Sequence, residues 1–317
     1  MTARFAILCP GQGGQHAAMF DLVRADPFGA QVFDEIGLAA EMTLDAVLHD
    51  NAQLFSNAHA QPLIVAAGLT AWEAIRRELP PPTLVAGYSV GEMTACGVAD
   101  ALSPARMVAL ARTRAQIMEK ARLLLPHQGL MSISGIPVAT LEAEFLAHGD
   151  VANRNDIWLA IETGYDTAIV GGSIDALQAI APALNAAGAH TGLLPVAIAS
   201  HTPLMAAAVT PFSQALAASA FRAPSTPVLA GVSGQAGHHQ DDLVAALTAQ
   251  LTHPIRWRAC MDACAEQGIA VALELGPGAA LSRMLRERHP HIEARSLSEF
   301  RSLNGAVRWV RSRLGIE

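Results

Sequence analysis

Leu84-Val85-Ala86-Gly87-Tyr88-Ser89-Val90-Gly91-Glu92-Met93-Thr94-Ala95-Cys96-Gly97-Val98 decides the fold. A short apolar run, Leu84–Gly87, reads as a buried strand, and Val90–Val98 reads as a helix. Between them lies Gly-x-Ser-x-Gly, the pattern of a nucleophile elbow, in which a sharp turn lifts a serine hydroxyl above the end of a sheet. The glycines allow strand and helix to approach closely. The helix start aims free N–H groups, that of Val90 above all, at an oxyanion forming beside Ser89. The same pattern also serves as a plain strand-to-helix turn.

Outward from this turn, short apolar runs alternate with amphipathic stretches, which indicates an α/β protein with a parallel sheet. Phe5–Cys9 reads as a buried first strand closed by Gly11-Gln12-Gly13-Gly14-Gln15, and Pro62–Arg76 reads as a helix. Met107, Val108, Leu110, Ala111, Ile117 and Met118 recur near helical spacing and predict a long helix over Ser103–Ala121, with Ser103 and Pro104 as cap and first turn. After Pro126-His127-Gln128-Gly129 the rhythm changes. Strands are expected at Leu130–Ile136, Ile157–Ile161, Thr167–Val170 and His190–Leu194, with helices at Val138–His148 and Ile174–Ala187. This βαββαβ order is that of a ferredoxin-like unit. The expected architecture is therefore an α/β-hydrolase-like core, residues 1–126 and 196–317, carrying a small ferredoxin-like subdomain at 127–195. Val228–Val232 and Val271–Leu275 return as strands of the core, with helices near 240–252 and 257–267.

Composition bounds the function. The 317 residues are 51% hydrophobic and 15% charged, with mean hydropathy +0.30, yet no apolar run of about 18 residues suggests a membrane span. A net charge of −7 argues against nucleic acid or an anionic membrane as partner. Four cysteines (Cys9, Cys96, Cys260 and Cys264) lack CxxC spacing and suit a reducing cytoplasm, and the last two, one helical turn apart, read as packing residues. From Arg283 onward eight arginines stand against four glutamates, which is either a docking face for an acidic partner or phosphorylated cofactor, or a solvated helical face.

A serine nucleophile needs a base, and the chain has twelve histidines. His201 ranks first, since Pro195-Val196-Ala197-Ile198-Ala199-Ser200-His201 ends an extended apolar run where a sheet delivers catalytic loops. A satisfied buried histidine is the alternative. His238 and His239 have no further ligand at metal spacing, so no metal is expected.

Several segments in order then show a resemblance: Pro10-Gly11-Gln12-Gly13-Gly14-Gln15, Gly87-Tyr88-Ser89-Val90-Gly91-Glu92, Arg114 with Met118, Ser200-His201, Gln250-Leu251 with Pro254 and Trp257, and Glu274-Leu275-Gly276-Pro277-Gly278. Together they resemble malonyl-CoA:acyl carrier protein transacylases. Tyr88 and Val90 beside the serine, and the stretch Leu273–Arg286 with Ala294–Ser302, look most like the transacylase (epsilon) subunit of malonate decarboxylase. The resemblance implies Ser89 as nucleophile and His201 as base, with Gln250 holding His201 through its carbonyl oxygen in place of a carboxylate. It implies Gln12 and Val90 as oxyanion-hole donors. Arg114 becomes the cation for the malonyl carboxylate, although by itself it also reads as a surface arginine. Malonyl-CoA and CoA are then substrate and product, an acyl carrier protein is the partner, and no bound cofactor is implied. One departure is Ile161-Glu162-Thr163-Gly164, where relatives place an Asn: Glu162 near an anionic substrate is unfavourable unless it points away. A malonyl transacylase of fatty acid or polyketide synthesis, a thioester-cleaving serine hydrolase, and a subunit that keeps the fold without activity are the competing readings.

Overall fold

The computed structural model describes residues 3–39, 47–146 and 157–316. Its larger sheet has six strands in the order β11-β10-β1-β2-β7-β8. These are β1 Arg4–Cys9, β2 Leu84–Gly87, β7 Val228–Leu229, β8 Ala236–Gly237, β10 Ile269–Glu274 and β11 Glu293–Ser296. All neighbours run parallel except the β7–β8 pair. Parallel sheets are covered on both faces, so their strands carry apolar residues on both sides. β1 shows this directly, because Phe5, Ile7 and Cys9 enter one core cluster while Ala6 and Leu8 enter the other. β10 divides the same way, with Val271 and Leu273 on one face and Ile269 and Ala272 on the other.

The smaller sheet has the order β6-β3-β5-β4-β9, from β3 Gln128–Ser134, β4 Ile157–Glu162, β5 Thr167–Ser173, β6 His190–Leu193 and β9 Ile255–Arg256. β3, β4, β5 and β6 lie inside residues 127–195 and pair antiparallel. The fifth, β9, comes from beyond residue 195 and pairs parallel with β4, Glu162 opposite Arg256, so the core contributes an edge strand to the small sheet. The helix expected over Val138–His148 begins at Val138–Thr140 and continues as a π-helical segment, Leu141–Leu146; its last two residues lie outside the described residues.

Other bounds moved for local reasons. The helix expected from Pro62 starts earlier, at Asn57, and runs to Ile75 behind Ser56 at its N-cap position. The Pro104–Leu124 helix does place Ser103 at the N-cap and Pro104 in its first turn, but the Ser103 side chain makes no capping bond. The strand expected over Val228–Val232 stops at Leu229, because Gly234 takes φ 71° and the chain turns back through a Gly234 N–H to Ala230 carbonyl bond of 2.7 Å into β8. Cys260 and Cys264 are buried on the Trp257–Glu266 helix, as their spacing suggested. No helix among the described residues is long and apolar enough to cross a membrane.

The Ser89 turn sits at the C-terminal end of β2, and Gly91 is what lets it close. A Cβ at Gly91 would overlap the carbonyl oxygens of Cys9 and Pro10 at the end of the neighbouring strand. Both obstacles are backbone. Gly91→Ala is therefore expected to lower unfolding free energy by about 3 kcal/mol, the upper end of the overpacking range, in urea titration. A loss under about 0.5 kcal/mol, the scale of a neutral surface change, would contradict this account.

Candidate active site

Ser89 and His201 are both held in the left-handed region, with φ 55° and 65°. Such backbone costs a non-glycine residue about 1–3 kcal/mol and persists where the surroundings enforce it. Around Ser89 the enforcement is explicit. Tyr88 N–H bonds the Cys9 carbonyl at 2.9 Å, Gly91 N–H bonds the Tyr88 carbonyl at 2.9 Å, and Glu92 N–H bonds the Ser89 carbonyl at 3.0 Å. Around His201 the grip comes from Gln250-Leu251. The His201 N–H donates to the Leu251 carbonyl at 3.0 Å, and Nδ1 lies 2.5 Å from the main-chain carbonyl of Gln250.

That carbonyl belongs to the residue that ends the Gln240–Ala249 helix. The last carbonyls of a helix lack intrahelical partners, so this one is free to accept the Nδ1 proton. The tautomer follows. With Nδ1 donating, the Nε2 lone pair faces Ser89 Oγ, 2.8 Å away. The negative end of the helix dipole also favours positive charge developing on the ring. A main-chain carbonyl thus occupies the place where a serine hydrolase of the expected rival type sets an aspartate or glutamate.

Two N–H groups near Ser89 are the sequence's candidates for an oxyanion site. Neither the Val90 nor the Gln12 N–H has a hydrogen-bond partner among the described residues. Gly11 packs its Cα against the Tyr88 carbonyl and the Ser89 Cβ, closely enough that an added Cβ would lie 3.6 Å from the latter. This brings the Gln12 loop close to Ser89.

Arg114 is not a surface residue. It is 1% exposed, on the inner face of the Pro104–Leu124 helix. One of its terminal nitrogens donates to Gln61 Oε1 at 2.5 Å and the other to Gln250 Oε1 at 3.1 Å, while Nε has no partner among the described residues. A buried guanidinium held by two neutral amide oxygens, with a donor left over, is arranged to receive an anion. Its desolvation lowers its pKa to about 10, which still leaves it charged at neutral pH.

Glu162 does not oppose that anion. It is tied to Arg256 at 3.2 Å and to Arg258 at 2.6 Å, so its charge is compensated inside the small-sheet junction. His238 and His239 instead donate their main-chain N–H groups to Asp242 at a helix start, and no group of metal-binding side chains occurs among the described residues. In the basic tail, Arg288 pairs with Asp262 at 2.6 Å and Arg313 with Glu293 at 2.9 Å, while Arg286 and Arg295 reach Glu299 at 3.8 and 3.7 Å. These pairings match the solvated, locally compensated reading of that face.

Two residues of the site escaped the sequence reading. Gln61 and Glu92 are 0% and 1% exposed, and both join the Arg114 network. Glu92 had a visible signal, being the one charged side chain in the apolar helix after Ser89. Gln61 had none, because a glutamine beside Pro62 at a helix start is unremarkable.

Burial first, and then the nearby Arg114 cation, hold the His201 imidazole pKa down to about 3. A depressed histidine stays neutral, and so basic, to lower pH than the usual 6.5 or so. Acylation of Ser89 by a neutral activated ester should consequently hold its rate from pH 8 down to about 5, where an ordinary histidine is mostly protonated. Stopped-flow burst rates across that range test this, and an acid limb centred near 6.5 would refute it.

Residues 6–299 match the acyl transferase domain family. The malonyl CoA-acyl carrier protein transacylase of Salmonella typhimurium is 28% identical over 313 residues, covering 96% of this chain and 99% of that one. Its namesake from Mycobacterium tuberculosis is 30% identical over 297 residues, covering 92% and 95%. The solved malonyl CoA-acyl carrier protein transacylase of Coxiella burnetii superposes with a TM-score of 0.89 at 25% identity, over 99% of this chain and 98% of that one.

Proposed function

The chain belongs to the acyl transferase family, among the malonyl-CoA:acyl carrier protein transacylases, and from that premise we propose that it moves a malonyl group from CoA to a carrier thiol through an ester on Ser89. It is an acyltransferase. The observation that carries the malonyl reading is Arg114: a buried cation with a donor unpartnered among the described residues, bonded to the side chain of Gln250, whose main-chain carbonyl holds His201.

The reaction runs in two halves. The malonyl carboxylate docks on Arg114 and presents the thioester to Ser89. His201 Nε2 takes the Oγ proton as Oγ attacks, and the Val90 and Gln12 N–H groups receive the oxyanion, each such donor contributing roughly 3 kcal/mol. Collapse expels the CoA thiolate, which takes up the proton from His201, and leaves malonyl-Ser89. A carrier thiol then enters and gives its proton to His201 as its sulfur attacks the ester; the bond to Ser89 Oγ breaks, Oγ takes the proton back from His201, and the malonyl group leaves on the carrier. No step calls for a metal or redox group.

The strand order β6-β3-β5-β4 supports taking residues 127–195 as a ferredoxin-like insertion in an α/β-hydrolase-like core of residues 1–126 and 196–317. For the carrier, Tyr88 and Val90 favour the malonate decarboxylase subunit, whose acceptor is a CoA-derived prosthetic thiol, over carriers of fatty acid or polyketide synthesis. Four free, buried cysteines fit a cytoplasmic setting. The test is to mix the protein with malonyl-CoA and purified carriers of each kind and weigh the carriers. Selective gain of malonyl mass by the decarboxylase carrier supports the finer reading. Gain only by the synthase carriers replaces it, and release of free malonate without any acceptor overturns the transferase reading.

A further inference from the structure

Glu92 lies three residues after Ser89 on the elbow helix and makes no part of the reaction just described. It is nevertheless buried, 1% exposed, with one oxygen accepting from both the Gly231 N–H at 3.0 Å and Gln250 Nε2 at 2.9 Å. A carboxyl group is costly to bury, and placing one beside the nucleophile needs a compensating arrangement.

Gln250 is the other half of that arrangement. Its side-chain oxygen faces Arg114 and its side-chain nitrogen faces Glu92. Turned over, the amide would set N–H against guanidinium N–H and carbonyl against carboxyl oxygen, so the two flanking groups permit one orientation only. The same residue's main-chain carbonyl holds His201 Nδ1. Gln250 is thus pinned at both ends, and Glu92 supplies the pin on the side of the nucleophile. Glu92 is itself tied to Ser89 by its own N–H. A closed circuit results: Ser89 turn, Glu92, Gln250, His201 and back to Ser89 Oγ.

We propose that Glu92 is a positioning residue of the reaction: by anchoring the Gln250 side chain it fixes the carbonyl that aims His201 at Ser89 and the amide oxygen that steadies Arg114. This rests on the active-site reading above but not on malonyl as the acyl group. Burial pushes the Glu92 carboxyl up to about 8 against the pull of Gly231, Arg114 and Gln250. Near neutral pH the anchoring task therefore falls chiefly to hydrogen-bond acceptance, which a glutamine at this position would retain.

The experiment measures phosphonylation of Ser89 by a neutral fluorophosphonate, followed by intact mass. This probe needs neither CoA nor carrier, so failure of the malonyl reading leaves it intact. Amplitude reports the fraction of folded sites, and the rate constant reports how well His201 is aimed. Glu92→Ala should slow the rate constant by about 10- to 100-fold, within the span of general-base catalysis, at an amplitude matching its folded fraction. Glu92→Gln should react within about threefold of the unsubstituted protein, its oxygen accepting both N–H groups. Should Glu92→Ala fail to fold, Glu92→Asp carries the test: its carboxyl is withdrawn by one methylene from Gln250, and the rate should fall at least fivefold although the carboxyl group remains. A wild-type rate constant in Glu92→Ala or Glu92→Asp overturns the proposal. So does a Glu92→Gln rate as low as that of Glu92→Ala.

Discussion

Ser89→Ala should leave no acyl-enzyme when the protein is incubated with malonyl-CoA and weighed, and should reduce transfer to any carrier thiol by on the order of 10⁴-fold or more, as loss of an activated nucleophile does. The fold should survive. Ser89 is half-buried, its side-chain bond is to His201 alone, and its turn is secured by main-chain bonds that alanine keeps. Alanine at φ 55° is no more strained than serine, so unfolding free energy should change by less than about 1 kcal/mol. Residual turnover near the unsubstituted rate would remove Ser89 from the chemistry, whereas lost activity with lost folding would say nothing of the kind; circular dichroism of the same sample separates the two.

Arg114→Ala should act on selectivity. Malonyl differs from acetyl by one carboxylate, and truncating one partner of a buried, hydrogen-bonded charge pair costs about 2–5 kcal/mol. The ratio of malonyl to acetyl transfer should therefore fall by about 30- to 4,000-fold, at roughly 1.4 kcal/mol per tenfold. The acetyl reaction should fall much less. Removing the cation takes away one of the two influences that depress His201, so the base is if anything strengthened. The variant leaves the oxygens of Gln61 and Gln250 without their donor, so rates must be taken per active site from burst amplitudes. Equal losses for malonyl and acetyl would sink the carboxylate assignment.

Glu92→Ala and Arg114→Ala should differ in kind. Arg114 is proposed to meet the substrate's charged end, so its loss should appear in the malonyl to acetyl ratio. Glu92 acts through Gln250 on His201, so its loss appears with both acyl groups and with the neutral probe. The shared residue explains why the two effects are coupled. Gln250 receives the cation and the carboxyl on its side chain and the base on its main chain, and interacting sites of this kind are not additive.

Local chemistry made much of the site legible. The elbow was readable because a strand, a glycine-flanked serine and a helix are contiguous, and each glycine answers a backbone approach found in the structure. The strands near Phe5, Leu84 and Val271 were readable because parallel strands covered on both faces are unbroken apolar runs. Arg114 and Gln250 were harder. By pattern alone Arg114 reads as exposed beside Arg112 and Glu119, and only the ordered set of motifs moved it into the site. Gln61 carries no local mark, because nothing local distinguishes a buried polar side chain with partners from one facing water; Glu92 stands out as the one charge in its apolar helix, but its partners do not.

By itself, then, the sequence determined the α/β class, the Ser89 turn with its free N–H groups, and His201 as the preferred base, because these rest on patterns within a dozen residues. Only the tertiary structure decided that the atom holding His201 is the main-chain carbonyl ending a helix, that the Gln250 side chain is turned instead between Arg114 and Glu92, and that β9 extends the small sheet beyond residue 195. The physical reason is the same in each case. Gln250 and Glu92 are 158 residues apart in the chain, and a buried polar group is defined by which distant partner satisfies it. That pairing has no local pattern to announce it.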